Sequence, residues 1–277
     1  MRAERPSPRW GARLAARLIR ASLAVDRGAV LFDRVRSRLV SGLASDAVLD
    51  AYNGLAFGES QAYQPDSDAF RADWFPWERL ALDRWFPRAP ARVLVGGAGG
   101  GRETLQLLDG GYQVVAFEPA VVLAHALAAR LASNPAVRVL IGRYETLPAL
   151  GTLDGQGISL AELGPFAAGI MGWASVAHVR SDVDRVAAVR CFGAQVEGPI
   201  LISVYPPMWR SSPGRPASRW LYADGAVFSA GLGRIQTFDT DSFRSLLTRA
   251  GVDILQLDTE SRIDNWPHAI VRAPAKA

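Results

Sequence analysis

The stretch VLVGGAGGGRE at residues 93–103 carries the strongest fold signal in this 277-residue chain. The apolar residues 93–95 indicate a short buried strand, and a helix is predicted to begin near Arg102. Between them lies a turn, residues 96–101, in which every residue except Ala98 is glycine. Glycines permit positive φ and let a ligand approach the backbone closely. A turn placed after the first strand of an open α/β sheet is where such sheets bind ligands.

The spacing of these glycines separates two classes of cofactor. A dinucleotide fingerprint requires G-x-G-x-x-G. Counting from Gly97, the third position is Arg102, and counting from Gly99 it is Thr104. The spacing that fits is G-x-G-x-G, at Gly97, Gly99 and Gly101, which argues against a dinucleotide.

An acidic residue follows the second predicted strand, which spans residues 113–117. Glu118 stands at the tip of that strand, before Pro119, and would face the glycine turn. A carboxylate in this position accepts hydrogen bonds from both ribose hydroxyls of a nucleoside. The alternative is a tight turn and an exposed Glu118 with no ligand.

Strands alternate with helices along the rest of the chain, which predicts an α/β fold with a doubly wound, mostly parallel sheet. The predicted helices are 102–108, 120–131, 178–192 and 237–249, and the further strands are 137–141, 166–172, 199–204, 252–257 and 269–272.

Charge and composition exclude several classes of function. The net charge is +4, yet residues 1–40 hold ten arginines against three acids, so the remainder is slightly acidic and gives no support for nucleic-acid binding. Lys276 is the only lysine, which excludes a P-loop and Schiff-base chemistry. A single cysteine, Cys191, fits a reducing compartment, and neither a secretory signal nor a membrane span is evident. We therefore expect a cytoplasmic protein.

The predicted organisation is an N-terminal helical extension or lid, residues 1–87, and a core, residues 88–277, with a lid insertion at 206–226. Residues 9–40 have the periodicity of a basic amphipathic helix. This helix either packs on the body or is partly disordered, or it binds an anionic membrane surface or a partner. The insertion contains both aromatic residues and arginines, so it suits either an aromatic or an anionic acceptor.

From about residue 75 onward the sequence resembles the class I S-adenosylmethionine (SAM)-dependent methyltransferases. The resemblance rests on residues 96–101, Glu118-Pro119, 142–148, Gly172-Trp173 and 243–252, and on an entry segment at 52–56. It implies a Rossmann-like sheet of seven strands with the last antiparallel, and SAM as cofactor across the strand tips. The residues it implies for the cofactor are Gly97, Ala98, Gly99, Gly101, Glu118, Pro119, Tyr144, Glu145, Gly172 and Trp173.

Three positions depart from the family pattern. The family often has an acid at the positions of Val95 and Arg143, and many members have one at Ala167. Glu145 lies two residues after Arg143. A non-catalytic or repurposed nucleoside-binding protein on the same fold is therefore an alternative function, and a nicotinamide-dependent oxidoreductase is a third, opposed by the glycine spacing.

The leading hypothesis is an enzyme that methylates a small-molecule acceptor. A general base is needed only if the acceptor must lose a proton. His178, just past the fourth strand, is the candidate base, or it caps the following helix instead. No metal-ligand spacing occurs, and the sequence is compatible with a homodimer.

Overall fold

The structure is a computed structural model that describes residues 67, 73–207, 226–229, 233–260 and 265–274. The predicted N-terminal helix at 9–40, the entry segment at 52–56 and most of the lid insertion at 206–226 lie outside these residues. Among the described residues, no helix is both long and apolar enough to cross a membrane.

Five α-helices occur in the described part of the chain. They are α1 Pro76–Trp85, α2 Arg102–Asp109, α3 Val121–Arg130, α4 Asp182–Gly193 and α5 Thr240–Ala250. Pro76 takes the first position of α1, where its missing N–H costs nothing. Asp239 caps α5, because its side chain accepts a hydrogen bond from the backbone of Ser242 at 3.0 Å. Helix α5 therefore begins at Thr240, later than the predicted start at residue 237.

The strands of the main sheet are β1 Arg92–Gly96, β2 Gln113–Glu118, β3 Val137–Ile141, β4 Ala149–Gly151, β5 Gly157–Ser159, β6 Ala168–Met171, β7 Ile200–Ser203, β10 Asp253–Asp258 and β11 His268–Arg272. Their order across the sheet is β10-β11-β7-β6-β1-β2-β3-β4-β5. A separate antiparallel pair consists of β8 Ala226–Ser229 and β9 Gly233–Gln236.

The predicted α/β class is confirmed, while the predicted number of seven strands is wrong. Strands β7, β6, β1, β2 and β3 are parallel, and β11 runs antiparallel between β7 and β10, as expected. Two further strands, β4 and β5, extend the edge beyond β3 as an antiparallel pair, which makes nine strands in the part of the sheet that the structure describes. Each has only three residues, too few for an alternating pattern to be visible.

Two element boundaries near the candidate site also differ from the prediction. Strand β6 is shorter than the predicted 166–172. His178 does not begin α4 but ends a 3₁₀ turn, Ser175–His178, that follows β6. Helix α4 begins later because Ser181 caps it by accepting a hydrogen bond from the backbone of Asp184 at 2.9 Å.

The two faces of the sheet pack against different helices. Leu94 of β1 faces a core that includes residues of α4 and α5, whereas Val93 and Val95 face one that includes residues of α1, α2 and α3. All three side chains are fully buried. Strand order reverses at β1, since β2 and β3 lie on one side of it and β6 and β7 on the other. The carboxyl end of β1 is therefore the point where a doubly wound sheet binds its ligand.

Candidate functional site

The glycine turn adopts the conformations that its glycines permit. Gly97, Gly99 and Gly101 have φ values of +63°, +53° and +94°, which side chains rarely tolerate. The Ala98 amide donates to the Phe117 carbonyl at 3.1 Å, and the Gly101 amide donates to the Ala98 carbonyl at 2.8 Å. These bonds fasten the turn to the end of β2 and place Gly101 as the N-cap of α2.

Glu118 lies at the carboxyl end of β2, buried against this turn. Its Oε2 accepts a hydrogen bond from the Gly99 amide at 2.8 Å, and its Oε1 accepts one from the Ala120 amide at 2.9 Å. Burial raises the pKa of Glu118 to about 7, although both backbone bonds act in the opposite direction. The neighbouring Pro119 is exposed.

The Glu118 carboxylate and the adjoining glycine turn together fit the ribose of a nucleoside. A carboxylate offers about four lone-pair sites, and backbone amides use one on each oxygen of Glu118. The remaining sites can accept the two adjacent hydroxyls of a ribose. The glycine backbone at 97 and 99 puts no side chain in the way.

Tyr144 takes the space that a side chain at position 96 would fill. A Cβ on Gly96 would lie 2.6 Å from Tyr144 Cε1 and 2.7 Å from Phe117 Cζ. The hydroxyl of Tyr144 lies 2.6 Å from Ser175 Oγ in a hydrogen bond, and burial raises the pKa of Tyr144 above its ordinary value. Tyr144 thus supports the turn as part of the core, whereas the adjacent Glu145 is exposed.

Gly172 joins the ends of β1 and β6. Its amide donates to the Gly96 carbonyl at 2.7 Å. A Cβ at position 172 would lie 2.6 Å from the carbonyl oxygen of Gly97 and 2.9 Å from that of Gly96. Because both obstacles are backbone atoms, position 172 accepts only glycine without a shift of one strand end.

We expect Gly172→Ala to separate the two strand ends. The free energy of unfolding should fall by about 1–3 kcal/mol, as for overpacked sites, and ligand binding at the turn should weaken. Urea titration measures the first effect. Gly157→Ala is the matched control, because a Cβ at Gly157 meets nothing within 4 Å. Equal stability of the two variants would contradict the proposed steric limit.

An aromatic cluster follows the carboxyl edge of the sheet from β6 towards β11. Trp173, directly after β6, is 39% exposed, and its ring centroid lies 5.3 Å from those of both Phe75 and Trp266. Trp266 in turn contacts Tyr205, which follows β7, at 5.7 Å. The indole nitrogen of Trp266 is buried and has no hydrogen-bond partner among the residues that the structure describes. These rings form an apolar wall beside the glycine turn.

A buried ionic cluster, which the sequence did not predict, lies against Phe75 and Trp173 of this wall. Arg102 Nη1 and Nη2 donate to Glu78 Oε2 and Oε1 at 2.7 and 2.5 Å, and Nη2 also donates to Glu103 Oε1 at 2.9 Å. The three side chains are at most 4% exposed. The Arg102 guanidinium lies over the ring of Phe75 at 4.6 Å. No local sequence signal identifies the cluster, because the buried residues of α2 are mostly polar or charged.

Burial and ion pairing act in opposite directions on the pKa values of Arg102 and Glu78. Burial alone would lower the pKa of Arg102, but Glu103 and Glu78 together raise it above its ordinary value. Burial raises the pKa of Glu78, and the bidentate bond to Arg102 opposes that change. Bidentate arginine–carboxylate pairs are among the stronger hydrogen-bonded contacts in proteins.

His178 lies past β6, as predicted, and its side chain is half-buried. Its ring packs edge-on against Tyr205 with centroids 6.0 Å apart. Desolvation lowers the pKa of His178 to about 4, so its imidazole is neutral at neutral pH.

The three departures from the family pattern lie in different environments. Val95 is fully buried in the core beside α1 and α2, and Arg143 is exposed. The amide of Ala167 donates to the carbonyl of Arg92, the first residue of β1. Ala167 is therefore at the amino edge of the sheet, away from the glycine turn, whereas Val95 directly precedes the turn.

Comparison with known proteins relates the chain to one fold. No protein-family model and no curated protein sequence matches it. Among solved structures, the CcbJ methyltransferase from Streptomyces caelestis is 17% identical, with 81% of this chain and 100% of that chain covered and a TM-score of 0.56. The glycopeptide N-methyltransferase MtfA, complexed with S-adenosylhomocysteine, is 19% identical over 73% and 91% of the two chains, with a TM-score of 0.53.

A third similar structure is the 1,6-didemethyltoxoflavin-N1-methyltransferase of Burkholderia thailandensis, which contains 1,6-didemethyltoxoflavin and S-adenosylhomocysteine. It is 19% identical over 83% of this chain and 89% of that chain, with a TM-score of 0.52. These similarities show the fold: the chain has the Rossmann-like fold of SAM-dependent methyltransferases.

Proposed function

We propose that the chain is a SAM-dependent methyltransferase that acts on a small-molecule acceptor. The observation that carries the proposal is Glu118, buried and bonded to the amide of Gly99 where strand order reverses. A carboxylate in this position is suited to the two hydroxyls of a ribose. The G-x-G-x-G spacing and the methyltransferase fold support a single nucleoside over a dinucleotide.

Some residues of the proposed cofactor site would contact the cofactor, and others hold the glycine turn in place. Gly97, Ala98, Gly99 and Gly101 would give close approach to the backbone, and Glu118 would hold the ribose. The amide of Gly172 donates a hydrogen bond to the Gly96 carbonyl and so holds the ends of β1 and β6 together beside the proposed site. Tyr144 supports the turn from within the core. When bound, SAM supplies an electrophilic methyl group on a sulfonium.

The acceptor would lie beside the aromatic wall formed by Trp173 and Trp266. Apolar walls of this kind exclude water and hold a planar or apolar molecule in position for an in-line displacement. A small acceptor is also bound in the similar toxoflavin methyltransferase. His178 remains the candidate general base if the acceptor must lose a proton. Its low pKa makes it a weak base, so we expect placement of the acceptor to supply more of the catalysis.

Isothermal titration calorimetry with SAM and S-adenosylhomocysteine tests the proposal. We expect saturable binding of both, with one site per chain. No binding at millimolar concentration would refute the function, and preferential binding of NADH would favour an oxidoreductase instead.

A second candidate is a non-catalytic nucleoside-binding protein on the same fold. The observation that favours it is Val95, an apolar side chain where the family often has an acid. Both candidates predict binding of S-adenosylhomocysteine. Transfer of a radiolabelled methyl group from SAM to a small molecule in cell extract distinguishes them, since only the enzyme produces a labelled product.

A further inference from the structure

The ionic cluster of Glu78, Arg102 and Glu103 has an unequal charge balance. Glu78 pairs with Arg102 through both of its oxygens, and its Oε2 also accepts the amide of Phe75 at 2.9 Å. This pair is neutral as a unit. Glu103 adds a second carboxylate, so the cluster carries one net negative charge in a buried setting. Buried charges are usually paired, because an unpaired one is costly to desolvate.

The oxygens of Glu103 are used unequally. Within the described part of the chain, both hydrogen bonds that its side chain accepts end on Oε1, one from Arg102 and one from the Trp173 amide at 3.1 Å. Glu103 is nevertheless 3% exposed. Its Oε2 therefore has acceptor capacity that the cluster does not use.

The contacts of Glu103 place its carboxylate near the crevice between β1 and β6. Trp173, whose amide it accepts, follows Gly172, and Gly172 bonds to the carbonyl of Gly96 at the end of β1. Glu103 also lies one helical turn before Leu107, which packs in the same core as Val95. The carboxylate is thus on the side of the sheet that residue 95 faces, at the sheet's ligand-binding edge.

We propose that Glu103 supplies, from helix α2, the carboxylate that Val95 cannot supply from β1, and that it binds the α-ammonium group of the cofactor's amino-acid end. This inference rests on the proposed function. It assigns a specific role to the second carboxylate of the cluster, which shares Arg102 with Glu78: the cation that balances its charge comes with the ligand. It also accounts for Val95, because an acid at position 95 would add another buried negative charge beside Glu103.

The test compares ligands that contain or lack the ammonium group. S-adenosylhomocysteine contains it, its deaminated analogue lacks only that group, and 5′-methylthioadenosine lacks the entire amino-acid end. We expect Glu103→Gln to weaken binding of S-adenosylhomocysteine by at least about tenfold, as for a lost hydrogen bond to a charged group. Binding of the other two ligands should change less than about twofold. Glu197→Gln, an exposed residue before β7, is the matched control and should leave all three affinities unchanged.

A purely structural role for Glu103 gives a different pattern. If it only holds Arg102 and the Trp173 amide, Glu103→Gln should weaken all three ligands equally, and that result would overturn the inference. Unchanged binding of S-adenosylhomocysteine would also overturn it. Glu103→Asp keeps the charge, so recovery of the selective affinity in this variant supports the role and does not depend on the folding of Glu103→Gln. If the unmodified protein binds none of the three ligands, the proposed function itself fails.

Discussion

Replacement of Arg102 with methionine is expected to lower the free energy of unfolding by about 3–5 kcal/mol, the usual cost of removing one partner from a buried ion pair. The substitution leaves Glu78 and Glu103 buried with no cation between them. It also removes the guanidinium from the face of Phe75, although methionine preserves much of the apolar contact. Urea unfolding followed by tryptophan fluorescence measures the difference.

Arg79→Met provides the matched control, since Arg79 pairs with Asp73 at 2.7 Å but the two side chains are 55% and 65% exposed. Exposed ion pairs contribute about 0–1 kcal/mol, so this variant should be almost as stable as the original protein. If Arg102→Met were no more destabilising than Arg79→Met, the cluster would not be a buried charge network.

The sequence predicted the centre of the fold better than its edges. Strand β1 and its glycine turn have strong local signals, an apolar run followed by residues that accept positive φ. The pair β4 and β5 has no such signal, because each strand is three residues long and is defined by long-range pairing, β4 with β3 and β5 with β4. The 3₁₀ turn that contains His178 was also not predicted. The predicted helix began at residue 178, whereas Ser181 caps the observed helix and sets its later start.

In the candidate site, local signals located Glu118 but not the ionic cluster. An acid directly after a strand can be placed at the sheet edge from the sequence alone. Glu78 and Arg102 are distant in the chain, and they meet because α1 packs beside α2. Charged residues on helices are most often solvated, so only the tertiary arrangement identifies these as buried. The packing of the Tyr144 ring against Gly96 likewise joins residues that are far apart in the sequence.

Glu118→Ala is expected to weaken the binding of S-adenosylhomocysteine by more than about tenfold, because hydrogen bonds to a charged group contribute about 1.5–3 kcal/mol. The loss should apply equally to 5′-methylthioadenosine, which keeps the ribose. This behaviour separates Glu118 from Glu103, whose replacement should affect only ligands with the ammonium group. Glu197→Ala is the control, and unchanged affinity in Glu118→Ala would place the ribose elsewhere.

The raised pKa of Glu118 adds a pH signature to the same experiment. Since burial raises the pKa of Glu118 to about 7, the unliganded protein holds a proton there below neutral pH. An ionised carboxylate is needed to accept both ribose hydroxyls, so binding must release that proton. Affinity for 5′-methylthioadenosine, which has no amino-acid end to titrate, should therefore be constant above pH 8 and fall by up to about tenfold per pH unit below 7. Glu118→Gln cannot titrate, and its weaker affinity should not change over the same range. A pH-independent affinity in the unmodified protein would mean that Glu118 is already ionised or does not contact the ligand; the Glu118→Ala result decides between these two explanations.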